Sequence, residues 1–296
     1  VSSTSVALEL KGHLTDVAGM PVRRMLPSAA KQAVGPFIFF DHFGPVRQQA
    51  GQQADVRPHP HIGLATVTYL FEGAQIHRDS LGTVQRIEPG AINWMQAGSG
   101  IAHSERVPPD LFHVDRDVHG LQLWAAQPVA DEEKAPSFEH TGAEAIPELQ
   151  LGAATVRVLV GAAFGAKSPV TTPSQTLYLD VLLPAGATLE LPPLAQERAI
   201  YVVDGNALQL DTSELAPYTM AVLEPGATVM LCATADTRFV VIGGAPLDGH
   251  RHIWWNFVSS RKERIAQAAQ DWDEGRFAPI PGDSDERIEL PPKRPF

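Results

Sequence analysis

The stretch RPHPHIGLATVTYLFEG, residues 57–73, decides how the chain is read. After its two histidines come apolar and β-branched residues at alternate positions, Ala65, Val67, Tyr69 and Phe71, and then the turn signal Glu72–Gly73. That pattern predicts a strand closed by a turn. In an extended chain, residues two apart point to the same side. His59 and His61 are therefore expected to project together, with Pro60 between them holding the backbone extended. Two imidazoles side by side are either a polar accident or half of a metal site.

Outward from this stretch, short apolar runs alternate with Gly, Pro or Asp turns. Segments 36–46, 90–98, 119–128, 154–165, 176–186, 199–205, 227–233 and 238–246 all read as strands. With 24 Gly and 25 Pro, the composition favours short strands over long helices. Turn signals recur at the spacing of a sandwich or barrel. There is also an internal echo. TYLFEGA (68–74) precedes IEPGAINWM (87–95), and IYVVDGN (200–206) precedes LEPGATVML (223–231). A duplicated β domain follows from it. The expected division is an N-terminal domain over 1–135 and a C-terminal domain over 136–296, with a polar linker near 130–150. Segment 259–277 predicts a helix. Ser260 and Glu263 would form its capping box, Ile265, Ala268, Ala269 and Trp272 its apolar face, and Gly275 its stop. Residues 281–296 look extended.

The 296 residues carry a formal net charge of −11. Phosphate contacts need clustered Lys and Arg, and only short basic pairs such as Arg23–Arg24 and Arg261–Lys262 occur, so direct nucleic-acid binding is not expected. No apolar run approaches the ~18 residues of a membrane span. The first residues lack a signal-peptide pattern, and the cytoplasm is the expected compartment. Cys232 is the single cysteine. It cannot form an intrachain disulfide and reads as a buried strand residue.

The chemistry concentrates in one region. His59, His61, His77, His103, His113 and His119 lie within 61 residues. GSGIAHSERVP (98–108) places His103 and Glu105 two apart, 42 residues after His61. Two strands carrying His-x-His and His-x-Glu could bring four donors together in a β domain, the AGSG turn (97–100) acting as a flexible turn that aims the second pair. Three neutral imidazoles and one carboxylate suit a divalent transition metal, and no thiolate is present to make a closed structural zinc site. Four protein donors around a six-coordinate ion leave two positions for substrate, water or O2. His77 and Asp79 read either as supporting donors or as a solvated hairpin, and His42 as a turn residue beside Asp41. Phe37, Phe39, Phe43, Trp94 and Met95 are candidate pocket walls. Transferring the spacings to the second copy of the echo lands on Leu191, Pro193, Phe239 and Val241, all apolar, so that copy carries no site. His250 and His252 form another His-x-His, but without a matching His-x-Glu they read as a turn or packing pair. No G-x-S-x-G elbow, G-x-G-x-x-G or P-loop is present.

Together, GPFIFFDHFGP (35–45), RPHPHIGLATVTYLFEG, GAINWMQAGSGIAHSE (90–105), HGLQLWAAQP (119–128) and the segment RHIWWNFVSSRKERIAQAAQDW (251–272) resemble the signature stretches of the pirin family. The resemblance covers most of the chain. It implies a mainly β bicupin: two β-barrel domains of the jelly-roll type with a short C-terminal helix, and a metal in the N-terminal one only. The family's ligands fall on His59, His61, His103 and Glu105. The implied cofactor is one divalent metal, usually iron, with Zn, Ni, Cu, Mn and Co compatible. The implied activity is dioxygenation of a flavonol such as quercetin, or a related enediol aromatic, by O2, with Glu105 also accepting the substrate's proton. Because the family includes transcriptional co-regulators, the alternative is a non-enzymatic metal or redox sensor that binds a protein partner.

Overall fold

The computed structural model describes residues 5–293. The chain is mainly β and divides into two compact units. One contains residues 5–14, Arg23–His42 and Glu144–Leu247. The other contains Thr15–Val22, Phe43–Ala143 and residues 248–293. Among the described residues no helix is long and apolar enough to cross a membrane.

The expected boundary at 135/136 is not where the units divide. The N-terminal strand Val6–Lys11 pairs antiparallel with Thr219–Leu223, which draws the start of the chain into the unit built mostly from 144–247. The C-terminal helix Lys262–Asp273 belongs to the unit built mostly from 43–143, where it buries Ile265, Ala268, Ala269 and Trp272 in a cluster with Ile62, Ala102 and Phe257. The apolar face is the one its periodicity predicts, and Gly275, at φ +70°, ends the helix. The capping box does not form. Arg261 is the N-cap and no side chain caps the helix, because Ser260 gives both its hydroxyl and its backbone N–H to the buried carboxylate of Glu132. Residues 281–293 form neither helix nor strand, and 294–296 lie outside the described residues.

The unit holding the paired histidines is built on eight strands: β1 (Val56–His61), β2 (Leu64–Glu72), β3 (Gln75–Asp79), β4 (Val84–Ile87), β5 (Ile92–Gln96), β6 (Ile101–Arg106), β7 (Arg116–Ala126) and β8 (Ser137–Thr141). One sheet has the order β1-β6-β3-β4, and a second runs β8-β5-β2-β7 and continues through Phe37–Gln48, Met20–Leu26 and His13–Val17. The AGSG turn between β5 and β6 is pinned, not flexible. Ala97, Gly98, Ser99 and Gly100 each donate a backbone N–H, to Leu64 O, Gln127 Oε1, Lys134 O and Ala97 O.

The other unit repeats this plan. Its larger sheet runs Val6–Lys11, Thr219–Leu223, Glu197–Asp204, Thr237–Gly244, Thr176–Leu183, Ala154–Val160 and Glu148–Leu151. Its smaller sheet runs Thr188–Leu191, Val229–Ala233, Leu208–Leu210 and Ser213–Leu215. The echo is structural only in its first half. Glu197–Asp204 holds the place of β2, and Thr219–Leu223, which pairs with it, holds the place of β5. The Glu-Pro-Gly-Ala turns are not equivalent: one precedes β5, and the other follows the counterpart of β5. Between the sheets lies a continuous apolar core including Leu179, Ile200, Leu231 and Phe239. Cys232 faces the other way from Leu231 and is only half-buried, so it is not a core residue.

Gly63, between β1 and β2, has φ +68°, and a Cβ there would sit 2.0 Å from Val258 O. Gly63→Ala is expected to destabilise the fold by at least about 1–3 kcal/mol from the left-handed backbone alone. Denaturant unfolding measures it, and an unchanged midpoint at unchanged m-value contradicts it.

Candidate metal centre

Strands β1 and β6 pair antiparallel with His103 opposite His59 and Ile101 opposite His61. The register then slips: Glu105 lies opposite Val56, so Arg57 and Pro58 together face Ser104. This is a β-bulge, which bends a strand and re-aims its side chains. On the other side of β6, β3 places Asp79 opposite His103 and His77 opposite Glu105. Side-chain alternation puts His59, His61, His77, Asp79, His103 and Glu105 on one face of three adjacent strands. The two ring pairs involving His59 confirm the shared face, with centroids 5.0 Å from His61 and 4.3 Å from His103.

All three imidazoles of His59, His61 and His103 are buried, and each offers a ring nitrogen within 4.8 Å of the others. Two of them have a fixed tautomer. His59 Nδ1 lies 2.8 Å from Arg57 O and His61 Nδ1 lies 3.1 Å from Asn256 O. A carbonyl can only accept, so each Nδ1 carries the proton and each Nε2 is left as a lone-pair donor. Asn256 sits in the two-residue turn of a hairpin pairing His252–Trp254 with Phe257–Ser259, where Trp255 takes the left-handed backbone at φ +52°. Both nitrogens of His103 are buried without a hydrogen bond, as is Glu105 Oε2. Glu105 Oε1 lies 3.6 Å from His103 Nδ1.

Burial sets the protonation of this cluster. Desolvation lowers the pKa of His59 to about 4 and holds His61 and His103 well below the usual imidazole value, with the neighbouring imidazoles adding repulsion. Desolvation pushes Glu105 up to about 8, against a smaller opposing pull from Arg106. Orphaned imidazole nitrogens kept neutral, beside an orphaned carboxyl oxygen, are what a buried site leaves when its natural partner is a cation. The donor set fits a divalent transition metal.

The surroundings sort the other sequence candidates. His77 and Asp79 are buried, not a solvated hairpin. His77 Nε2 is 2.8 Å from Asp79 Oδ2, whose carboxylate also takes the backbone N–H groups of Leu81 and Thr83. Burial raises the Asp79 pKa, but these hydrogen bonds, His77 first, carry it below the usual value. Met95 lies on the strand face shared with Phe138, whose ring stacks on His77 at 4.3 Å. Trp94 points to the opposite face. Phe43 packs in a satellite cluster with Leu70, Ile87 and Val118. Phe37 packs edge-on against Tyr178, and Phe39 lies under the Arg24 guanidinium. His42 is in a strand, with Nδ1 2.8 Å from Tyr201 Oη, and Arg24 takes its neighbour Asp41. His250 and His252 meet edge to face at 4.5 Å centroid separation, His250 exposed and His252 half-buried. Sequence reasoning missed Trp124, whose ring meets His61 at 5.2 Å, although the alternation Gly120, Gln122, Trp124 marks one face of β7. It also missed the Asn256 carbonyl, for which no local signal exists.

The apolar unit shows the same positions without donors. Ladder register matches His59 with Leu189, His61 with Leu191, His103 with Leu231, Glu105 with Ala233, His77 with Leu208 and Asp79 with Leu210. The counterpart of β6 is therefore Val229–Ala233, and Phe239 and Val241 lie in the other sheet, because the first Glu-Pro-Gly-Ala precedes β5 whereas the second precedes the counterpart of β6. The expectation of an apolar second copy holds at every one of these positions.

Comparison with known proteins agrees with this architecture. Residues 19–125 match the Pirin family, and residues 178–278 match the Pirin C-terminal cupin domain. A pirin-like protein of Caulobacter vibrioides is 46% identical over 279 residues, covering 93% of this chain and 96% of the relative. Human pirin is 33% identical over 279 residues, covering 92% and 93%. A crystal structure of quercetin 2,3-dioxygenase from Acinetobacter baumannii superposes with a TM-score of 0.89 at 32% identity, covering 96% of this chain and 94% of that one. With two cupin-like domains, a histidine cluster in one of them, and matches along most of its length, the chain belongs to the pirin family.

Proposed function

We propose that His59, His61, His103 and Glu105 hold one divalent transition metal, iron in the working protein, and that the protein is a dioxygenase for a flavonol such as quercetin or a related enediol aromatic. The observation that carries this reading is the cluster of three buried, neutral imidazoles, with both His103 nitrogens and Glu105 Oε2 left without a hydrogen bond. The similarity to a quercetin 2,3-dioxygenase supports the substrate class. Imidazole and carboxylate donors without thiolate suit iron. When bound, the ion would supply Lewis acidity toward a substrate oxygen and electrons for chemistry with O2.

The chain's own residues do the rest. The Arg57 and Asn256 carbonyls keep the Nε2 lone pairs of His59 and His61 turned to the site. Burial keeps the imidazoles neutral, so protons do not compete for those lone pairs at physiological pH. Once ionised, Glu105 is the base that takes the proton of an enediol hydroxyl at Oε2. Trp124 and Phe138 offer flat apolar surface for an aromatic substrate, with the flexible thioether of Met95 beside Phe138.

Three outcomes are expected. Protein purified without added metal carries about one metal ion per chain, and His59→Ala carries far less; equal content in both overturns the ligand assignment. Metal uptake by the stripped protein strengthens about tenfold per pH unit as pH rises toward 8 and levels off above it, because ligation expels the Glu105 proton. The sign follows from a carboxyl that is raised in the folded state and so protonated at neutral pH. Glu105→Gln abolishes that slope, and a slope that survives the substitution removes Glu105 from the ligand set. Anaerobic quercetin added to the iron-loaded protein consumes O2 when air is admitted, and Glu105→Gln slows this by about 10²–10⁴-fold. No oxygen uptake with flavonols or catechols sinks the enzymatic reading in favour of a metal-dependent regulator.

A further inference from the structure

The bulge between β1 and β6 leaves a structural problem on the side of the sheet away from the histidines. Pro58 beside His59, and Ser104 and Arg106 on either side of Glu105, point to or open onto that outer side. Where two residues oppose one, the ladder is interrupted, and the two donor pairs lose the regular hydrogen bonds that would hold their spacing. Residues 280–288 lie over this break. The Ile288 N–H donates to Pro58 O at 2.8 Å, on β1. Asp283 serves β6: Oδ2 accepts from Ser104 Oγ at 2.6 Å and from Arg106 Nε at 2.9 Å, and Oδ1 accepts from Arg106 Nη2 at 2.6 Å. Glu286 takes Arg106 Nη1 at 3.0 Å. One short segment is thus bonded to both strands at the point where they are not fully bonded to each other.

The segment is itself held. Trp272 Nε1 donates to Ile288 O at 2.9 Å, and Arg287 Nη1 donates to Trp272 O at 2.7 Å with its guanidinium 5.2 Å from the indole centroid. Ile280 is buried in the cluster that contains Ile62 and Ala102, neighbours of His61 and His103. Asp283 touches none of the proposed metal donors. The Ser104 hydroxyl it accepts from belongs to a fully buried residue, and removing the acceptor leaves that hydroxyl without a partner.

We propose that residues 280–288 brace the metal-binding strands from behind, and that Asp283 is a positioning residue for the metal. The proposal rests on the reading of His59, His61, His103 and Glu105 as ligands. Through Ser104 and Arg106, Asp283 fixes the two backbone positions flanking Glu105, and through Ile288 the same segment fixes the carbonyl preceding His59. The charge-assisted, bidentate pair with Arg106 gives this fixing a defined orientation.

Cobalt(II) is the probe, because its visible spectrum reports donor geometry. Wild type, Asp283→Asn, Asp283→Glu, Ile288→Pro and His61→Ala are stripped and titrated with cobalt(II) against a competing chelator. Expected is a loss of roughly ten-fold in affinity and an altered visible spectrum for Asp283→Asn and Ile288→Pro, with recovery in Asp283→Glu. A segment that only stabilises the fold would lower the unfolding midpoint and leave affinity and spectrum as in wild type, and that result overturns the proposal. Wild type that binds no more cobalt than His61→Ala overturns the metal-centre reading instead. Backbone amide exchange over 101–107 then decides the brace alone: faster exchange in Asp283→Asn than in wild type is expected, and equal exchange overturns it.

Discussion

The antiparallel pairing of Val56–His61 with Ile101–Arg106, broken once by a bulge, is the constraint on which the site depends. Strand alternation alone would put His-x-His and His-x-Glu on one face. The bulge shifts Glu105 from the position opposite Arg57 to the one opposite Val56 and frees two carbonyls, Arg57 and Pro58, from regular pairing. One of these fixes the His59 tautomer, and the other receives the N–H of Ile288. A local irregularity thereby recruits both a donor orientation and a distant segment of the chain.

The two units amount to a controlled comparison. In one, six inward positions on three strands carry four imidazoles and two carboxyl groups. In the other, the register-matched positions carry five leucines and one alanine, and they join an uninterrupted apolar core. The same β plan therefore tolerates either filling. Keeping polar groups dry is unfavourable unless each finds a partner, and His77–Asp79 does so internally. His59 and His61 are satisfied at one ring nitrogen each, His103 at neither, and Glu105 Oε2 has no partner; burial displaces the pKa values of all four. Leu, by contrast, fills the space with dispersion contacts and asks for nothing further.

Much of this was legible in the sequence because it is local. Short apolar runs closed by Gly, Pro or Asp turns marked the strands, and the 3.6-residue period marked the buried face of the C-terminal helix. The His-x-His and His-x-Glu pairs declared themselves by spacing, and the resemblance to pirins rested on the same residues. What failed was long-range or depended on competition. Ser260 has the capping signature but is claimed by Glu132, 128 residues away. Gly and Ser in AGSG suggested mobility, yet every backbone N–H there finds an acceptor. The division at 135/136 followed composition, whereas the units follow strand pairing between residues about 200 apart. The second-copy positions were displaced for two reasons, while ladder register is kept: the loop after Leu191 is longer than the one after His61, and the two Glu-Pro-Gly-Ala turns stand one strand apart in the plan.

The hairpin at Trp254–Phe257 has a consequence in time as well as in space. All four proposed donors lie before residue 106, but the carbonyl that orients His61 belongs to residue 256, and the segment spanning the bulge lies at 280–288. During vectorial synthesis the donors leave the ribosome long before these partners exist. A nascent chain of 150 residues already holds the Arg57 carbonyl beside His59 but lacks the one that orients His61 and the segment that spans the bulge. The full set of partners around the cluster exists only after some 130 further residues are made.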